Sequence, residues 1–156
     1  MTVIRRPRLA VVLLVLALSV AASLGVAQKA QAWPVGTQGC TLGYWKNHQS
    51  AWVTYSPTDT IGSAFKLTSA QTPYASTTLI DGLNFPGGPG VLGAEQILFK
   101  QAIAGLLNST SGIDYGATTA QVIGITHTAI LSGSRDDMIT VAGEFELRNS
   151  VGCPLS

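Results

Sequence analysis

From Val91 to Leu107 the apolar residues Leu92, Ile97, Leu98, Ile103, Leu106 and Leu107 recur at helical spacing, with Ala and Gln between them. This pattern predicts the longest helix of the chain. Asn108 to Gly116 is rich in turn formers and reads as a link. Thr118-x-x-Gln121 is a capping-box pattern, predicting a helix to about Leu131 that Gly133 ends. Ser134-x-x-Asp137 opens a last helix reaching about Leu147, with Asp136 and Asp137 in the turn where the macrodipole favours them. Upstream, Gly43 to Tyr55 reads as a helix with Trp45, His48, Trp52 and Tyr55 on one face and Lys46, Asn47, Ser50 and Thr54 on the other. Ser56-Pro57 stops it. Two shorter helices are expected at Asp59 to Phe65 and at Thr77 to Phe85, the second carrying Leu79, Ile80, Leu83 and Phe85 inward. Lys66 to Ser76 reads as a loop, and Pro86-Gly87-Gly88-Pro89-Gly90 as a break. No convincing alternating strand appears. The expected fold is all-α, a compact single-domain bundle of about four to six helices.

The N-terminal stretch has a different character. Arg5, Arg6 and Arg8 precede an uncharged run from Leu9 to Val26, and small residues then end in Ala30-Gln31-Ala32. A cationic start, an apolar middle and an A-x-A end form the pattern of a secretory signal. The expected division is therefore 1–32 as signal and 33–156 as the exported domain, with Trp33 first. An uncleaved anchor is the rival reading, since the run is just long enough to span a bilayer. Arg5-Arg6 also raises the twin-arginine route, although Pro7 breaks its pattern. Removing the signal changes the charge. Of nine Lys and Arg, four (Arg5, Arg6, Arg8, Lys29) go with it, and the remaining five face eight Asp and Glu, a net of −3. No basic patch is left, which disfavours nucleic acid as a partner. Membrane contact is expected only through the signal before cleavage. The location is read as secreted, cell-surface or periplasmic.

Export changes the meaning of the cysteines. Cys40 and Cys153 are the only two, one near each end of the exported part. An even pair in an oxidising compartment reads as a disulfide. An intermolecular link, a metal site or a reactive thiol are the rivals. A metal would need more than two Cys and the distant pair His48 and His127, so no metal and no cofactor are expected.

Around the first cysteine lies Gly39-Cys40-Thr41-Leu42-Gly43-Tyr44-Trp45-Lys46-Asn47-His48. This resembles a group of secreted bacterial proteins and modules that open with a Gly-Cys-Thr-x-Gly-Tyr/Phe-Trp-Lys-Asn-His signature. The similarity extends through Trp52, through Leu79 to Pro89, and into Gly152-Cys153-Pro154. It implies export and the extent of the domain, and carries no activity.

Several residues invite chemistry. Trp45 and Trp52, with Trp33, Tyr44 and Tyr55 nearby, offer either a sugar-stacking surface or core anchors with bonded indole N–H groups. The shared face favours the anchors. Lys46 and His48 are candidate ligand-binding residues, with His48 as a base and Asp81 as a carboxylate partner in a hydrolase reading. His48 is rather expected to cap or bond within the aromatic layer, and His127 to be buried and satisfied. Gly88-Pro89-Gly90-Val91-Leu92-Gly93 matches G-x-G-x-x-G, but no strand precedes it and it reads as a tight loop. No carboxylate spacing signals a glycosidase, and Asn108-Ser109-Thr110 is a formal glycosylation sequon read as incidental. The expected function is an exported, non-enzymatic structural or interaction domain. Its partner classes are a cell-surface protein or a glycan. The alternatives are a hydrolase or ligand-binding enzyme centred on Lys46, His48 and Asp81, and a carbohydrate-binding module using Trp45 and Trp52.

Overall fold

The helix predicted to be longest is also the one the others pack around. A computed structural model of the chain describes Pro34 and residues 36–155. It contains six α-helices, α1 (Leu42–Asn47), α2 (Ile61–Phe65), α3 (Leu79–Leu83), α4 (Gly90–Thr110), α5 (Thr119–Leu131) and α6 (Arg135–Asn149), with a 3-10 turn at Gln49–Ala51. Among the described residues there is no strand, only two isolated β-bridges, Gly39 with Gly152 and Thr60 with Thr78. The all-α single-domain reading therefore stands, and Trp33–Ser156 cluster as one compact unit. The expected export signal, its cleavage point and Trp33 lie outside the described residues. No helix among the described residues is long and apolar enough to cross a membrane.

The eight residues from Gln101 to Asn108 are all buried, so α4 is covered on every side there rather than on one stripe. Arg135 at the start of α6 donates to the carbonyls of Gly90 (2.7 Å) and Gly88 (3.2 Å) at the start of α4. Asn149 at the end of α6 reaches the Gln101 carbonyl at 3.0 Å. These contacts fix α4 and α6 side by side and parallel. The hydroxyls of Ser109 and Thr119 meet at 3.1 Å, so α5 turns back beside the end of α4. Phe65, Phe99, Phe145, Trp45 and Met138 are fully buried among Leu and Ile side chains. The two short helices lace together at their starts. Ile61 N–H donates to the Thr77 carbonyl and Leu79 N–H to the Asp59 carbonyl, which satisfies donors that a helix start leaves open.

Several features differ from the sequence pattern. The expected helix from Gly43 to Tyr55 stops at His48 (φ −124°, ψ 55°), for a reason given below. Asn108, Ser109 and Thr110 belong to α4 rather than to a link, because their side chains bond inside the fold or back to carbonyls of their own helix. The last helix runs to Asn149 rather than Leu147, and Asn149 is buried in the bundle. Leu92, part of the helical apolar recurrence, is 54% exposed, because it lies in the first turn of α4 beyond the packed layers. The caps behave as the pattern requires. The Thr118–Gln121 box is complete, and Ser134 accepts from Asp137 N–H.

Two buried asparagines hold the end of the bundle. Asn108 Oδ1 accepts from Cys40 N–H (2.9 Å) and from the Trp45 indole (3.2 Å). Its Nδ2 donates to the Cys40 carbonyl (2.8 Å) and to Asn149 Oδ1 (2.9 Å). Asn149 Oδ1 also accepts from the Tyr115 hydroxyl (2.8 Å), and its Nδ2 donates to Gln101. Both amides thus use their whole hydrogen-bonding capacity. Burial pushes the Tyr115 phenol well above its ordinary pKa, against a smaller opposing effect of Arg148, and keeps it a donor to Asn149. Asn108→Ala would strand Cys40 N–H, the Cys40 carbonyl and the Trp45 indole. It is expected to cost about 3–5 kcal/mol in urea unfolding of the oxidised protein; a loss under about 1 kcal/mol would show that water replaces the amide.

The segment before the first cysteine is clasped from outside. The Thr37 hydroxyl (2.8 Å) and N–H (3.1 Å) both donate to Asp114 Oδ2 on the α4–α5 link. These bonds, the hydroxyl first, hold the Asp114 carboxyl below its ordinary value of 3.8. A lowered folded pKa contributes stability that is present above the unfolded pKa and lost as pH falls through the folded one. Thr37→Val should bring the Asp114 midpoint back up toward 3.8 in a carboxyl NMR titration. An unmoved midpoint would remove the Thr37 hydroxyl as the main cause.

Candidate functional site

The Gly39–His48 signature is where the sequence concentrates unusual side chains, and most of them have a structural partner. Gly39 lies against α6, where an added Cβ would sit 2.0 Å from the Arg148 carbonyl oxygen, so no side chain fits. Its N–H donates to the Gly152 carbonyl at 2.9 Å, and Gly152 holds φ at 130°, a region that favours glycine. The two Gly-Cys pairs meet there, and Cys40 and Cys153 form a disulfide across 113 positions with Cα atoms 4.4 Å apart. In the chain-entropy account a loop of that size contributes about 4–5 kcal/mol. Thr41 caps α1 by accepting from Tyr44 N–H. The Tyr44 hydroxyl donates to the Leu155 carbonyl at 3.0 Å and ties down the C-terminal tail.

The rest of the signature ends the helix it starts. The Asn47 amide donates to the Gly43 carbonyl (2.9 Å), and His48 Nδ1 meets the Tyr44 carbonyl (2.9 Å). A carbonyl can only accept, so Nδ1 carries the hydrogen. The Trp52 indole donates to the Trp45 carbonyl (3.1 Å), and the Gln49 amide to the Lys46 carbonyl (3.4 Å). Side chains thus take four successive carbonyls in α1, most of which a longer helix would offer to its own backbone. That competition is why the aromatic segment breaks at His48. It also fixes both indoles indoors. Trp45 is 0% and Trp52 9% exposed.

The candidate residues are therefore spread apart. His48 caps α1, one of the two roles expected of it, but from an exposed position, where it stacks on Tyr44 with ring centroids 4.2 Å apart. Lys46 is half-buried. The Asp81 carboxylate accepts from the Thr78 hydroxyl (2.6 Å) at the start of α3. No hydrogen bond or ion pair joins Lys46, His48 and Asp81. Among the described residues no group of three or more His, Cys, Asp and Glu converges as a metal would require. The G-x-G-x-x-G match forms a tight loop whose carbonyls at Gly88 and Gly90 are held by Arg135. The sequon asparagine, Asn108, is fully buried.

A second location emerges from the structure alone. Phe65 and Lys66 at the end of α2, with Ala120, Ile123, Gly124 and His127 on α5, line an open depression of about 300 Å³. His127, expected to be buried, is half-buried on its wall, because the depression leaves one side of its ring open. Lys66 is the one described residue other than glycine with a positive φ (57°). It occupies the left-handed position after α2 that glycine usually fills. Gly124 stands inside α5 with nothing within 4 Å of where a Cβ would be. Sequence reasoning missed both, since left-handed geometry and empty space leave no trace in hydrophobic periodicity. Gly124 inside a predicted helix was the available hint.

The chain matches no family model, no curated protein and no solved structure.

Neither Lys66 nor Gly124 suits its local conformation. Lys66→Gly and Gly124→Ala are each expected to raise the unfolding free energy by about 0.5–1 kcal/mol. Urea denaturation checks this, and a loss of stability on both changes would show that these side positions carry packing not seen here.

Proposed function

We propose that the chain is an exported, non-enzymatic domain that serves structure or interaction outside the cytoplasm, with the Gly39–His48 signature as its closure rather than its active centre. One observation carries this reading. Apart from Lys46, the side chains of the signature and its neighbour Trp52 that look reactive in sequence are engaged internally: Trp45 with Asn108, Trp52 with the Trp45 carbonyl, Asn47 and His48 with carbonyls of α1, and Cys40 with Cys153. The disulfide itself favours an oxidising compartment, in keeping with the sequence pattern of residues 1 to 32.

The hydrolase alternative lacks an assembled base and carboxylate, since His48 and Asp81 each bond within their own helix end. The sugar-binding alternative needs an indole face open to solvent, and neither Trp45 nor Trp52 presents one.

The test is to express the whole chain in a bacterium, recover the protein from outside the cytoplasm and analyse it without reductant. Intact mass and peptide mapping should give Trp33 as first residue and a Cys40–Cys153 cross-linked peptide. Ester, peptide and glycoside substrates should not be turned over. A product retaining Met1 inside the cell, or two alkylated thiols, would end the export reading. Turnover abolished by His48→Ala with the fold unchanged would replace the proposal with the enzyme.

A further inference from the structure

The depression between α2 and α5 combines features that the fold itself does not need. Its lining is apolar at Phe65, Ala120 and Ile123, and its polar members are Lys66 and His127. No carboxylate lines it, so nothing within it neutralises the ammonium of Lys66. Lys66 keeps a cation at a left-handed position where glycine is easier. Gly124 keeps open the space into which a helix side chain would otherwise project. One departure from local preference preserves a charge and the other preserves room, and both lie on the same depression. His127 is half-buried there, and no hydrogen bond from a described residue reaches its ring. The depression is open to solvent on one side and holds about 300 Å³, room for a small molecule to lie against its wall.

We propose that this depression binds a small organic carboxylate with an apolar body. The body rests against Ala120 and Ile123, above the gap left by Gly124. The carboxylate meets Lys66 and accepts a hydrogen bond from the His127 ring. The site is distant in sequence from the signature, and the proposal does not depend on how the signature is read.

Phenylpropionate and its uncharged amide, phenylpropionamide, form a matched pair of probes. They are titrated into the oxidised protein while backbone amide chemical shifts are followed by NMR. Phenylpropionate should shift the resonances of Lys66, Ile123, Gly124 and His127, with saturation in about the millimolar range. The amide should bind up to about fivefold more weakly, the factor an exposed ion pair supplies. Lys66→Gly should reduce the preference for the carboxylate to none, and Gly124→Leu should abolish binding of both probes by filling the space. Neither substitution is expected to unfold the chain, since each replaces a residue disfavoured in its conformation, and the remaining amide spectrum verifies the fold. The proposal is overturned by an absence of shifts in the unaltered protein, by equal affinity for acid and amide, or by undiminished binding in Gly124→Leu.

Discussion

Everything at the disulfide end of this molecule depends on one side-chain amide. Asn108 sits at the end of the central helix, fully buried, with two acceptor and two donor directions all in use. A buried amide left half-satisfied would cost more than an apolar residue in its place. Fully satisfied, it specifies one arrangement of three segments: the strand-like run at Cys40, the indole of Trp45 and the last turn of α6 at Asn149. Hydrophobic contact alone would let these segments slide, because it has no direction. The covalent bond between Cys40 and Cys153 then closes a geometry that Asn108 has already set.

The same logic explains why the signature contains such uncommon residues close together. Gly39 lets two backbones touch, Cys40 joins them, Thr41 starts a helix, and Asn47 and His48 end it within two turns. Ending α1 early sends the chain back so that Trp52 can donate to the Trp45 carbonyl. Stacked function is not required for any of these roles. A dense motif of Trp, Asn, His and Cys can be an architectural device, with its polar atoms directed at backbone carbonyls rather than at a ligand.

Much of the fold was legible from local chemistry. The Thr118–Gln121 box, the Ser134 cap and the run of apolar residues from Leu98 to Leu107 each point to the element found. What was not legible involves partners distant in sequence. Asn108-Ser109-Thr110 reads as a turn because all three residues are polar, and only distant partners, Cys40, Trp45 and Asn149, make its asparagine a core residue. The break at His48 was hidden for a different reason. Helical periodicity places Trp45 and Trp52 on one face, and both are indeed buried, but by way of a carbonyl bond that a continuous helix would forbid. The depression beside Lys66 and Gly124 was invisible because it is made of what is missing.

The bridge between Gly39 and Gly152 has a mechanical corollary. The first and last segments of the domain meet at this point, and a covalent bond spans it. A pull applied through both ends would travel along Cys40, the sulfur pair and Cys153 without crossing a helix. The bundle would hang from the load path like a loop tied off at its neck, and its helices would stay folded under a tension that unravels a domain strung in line.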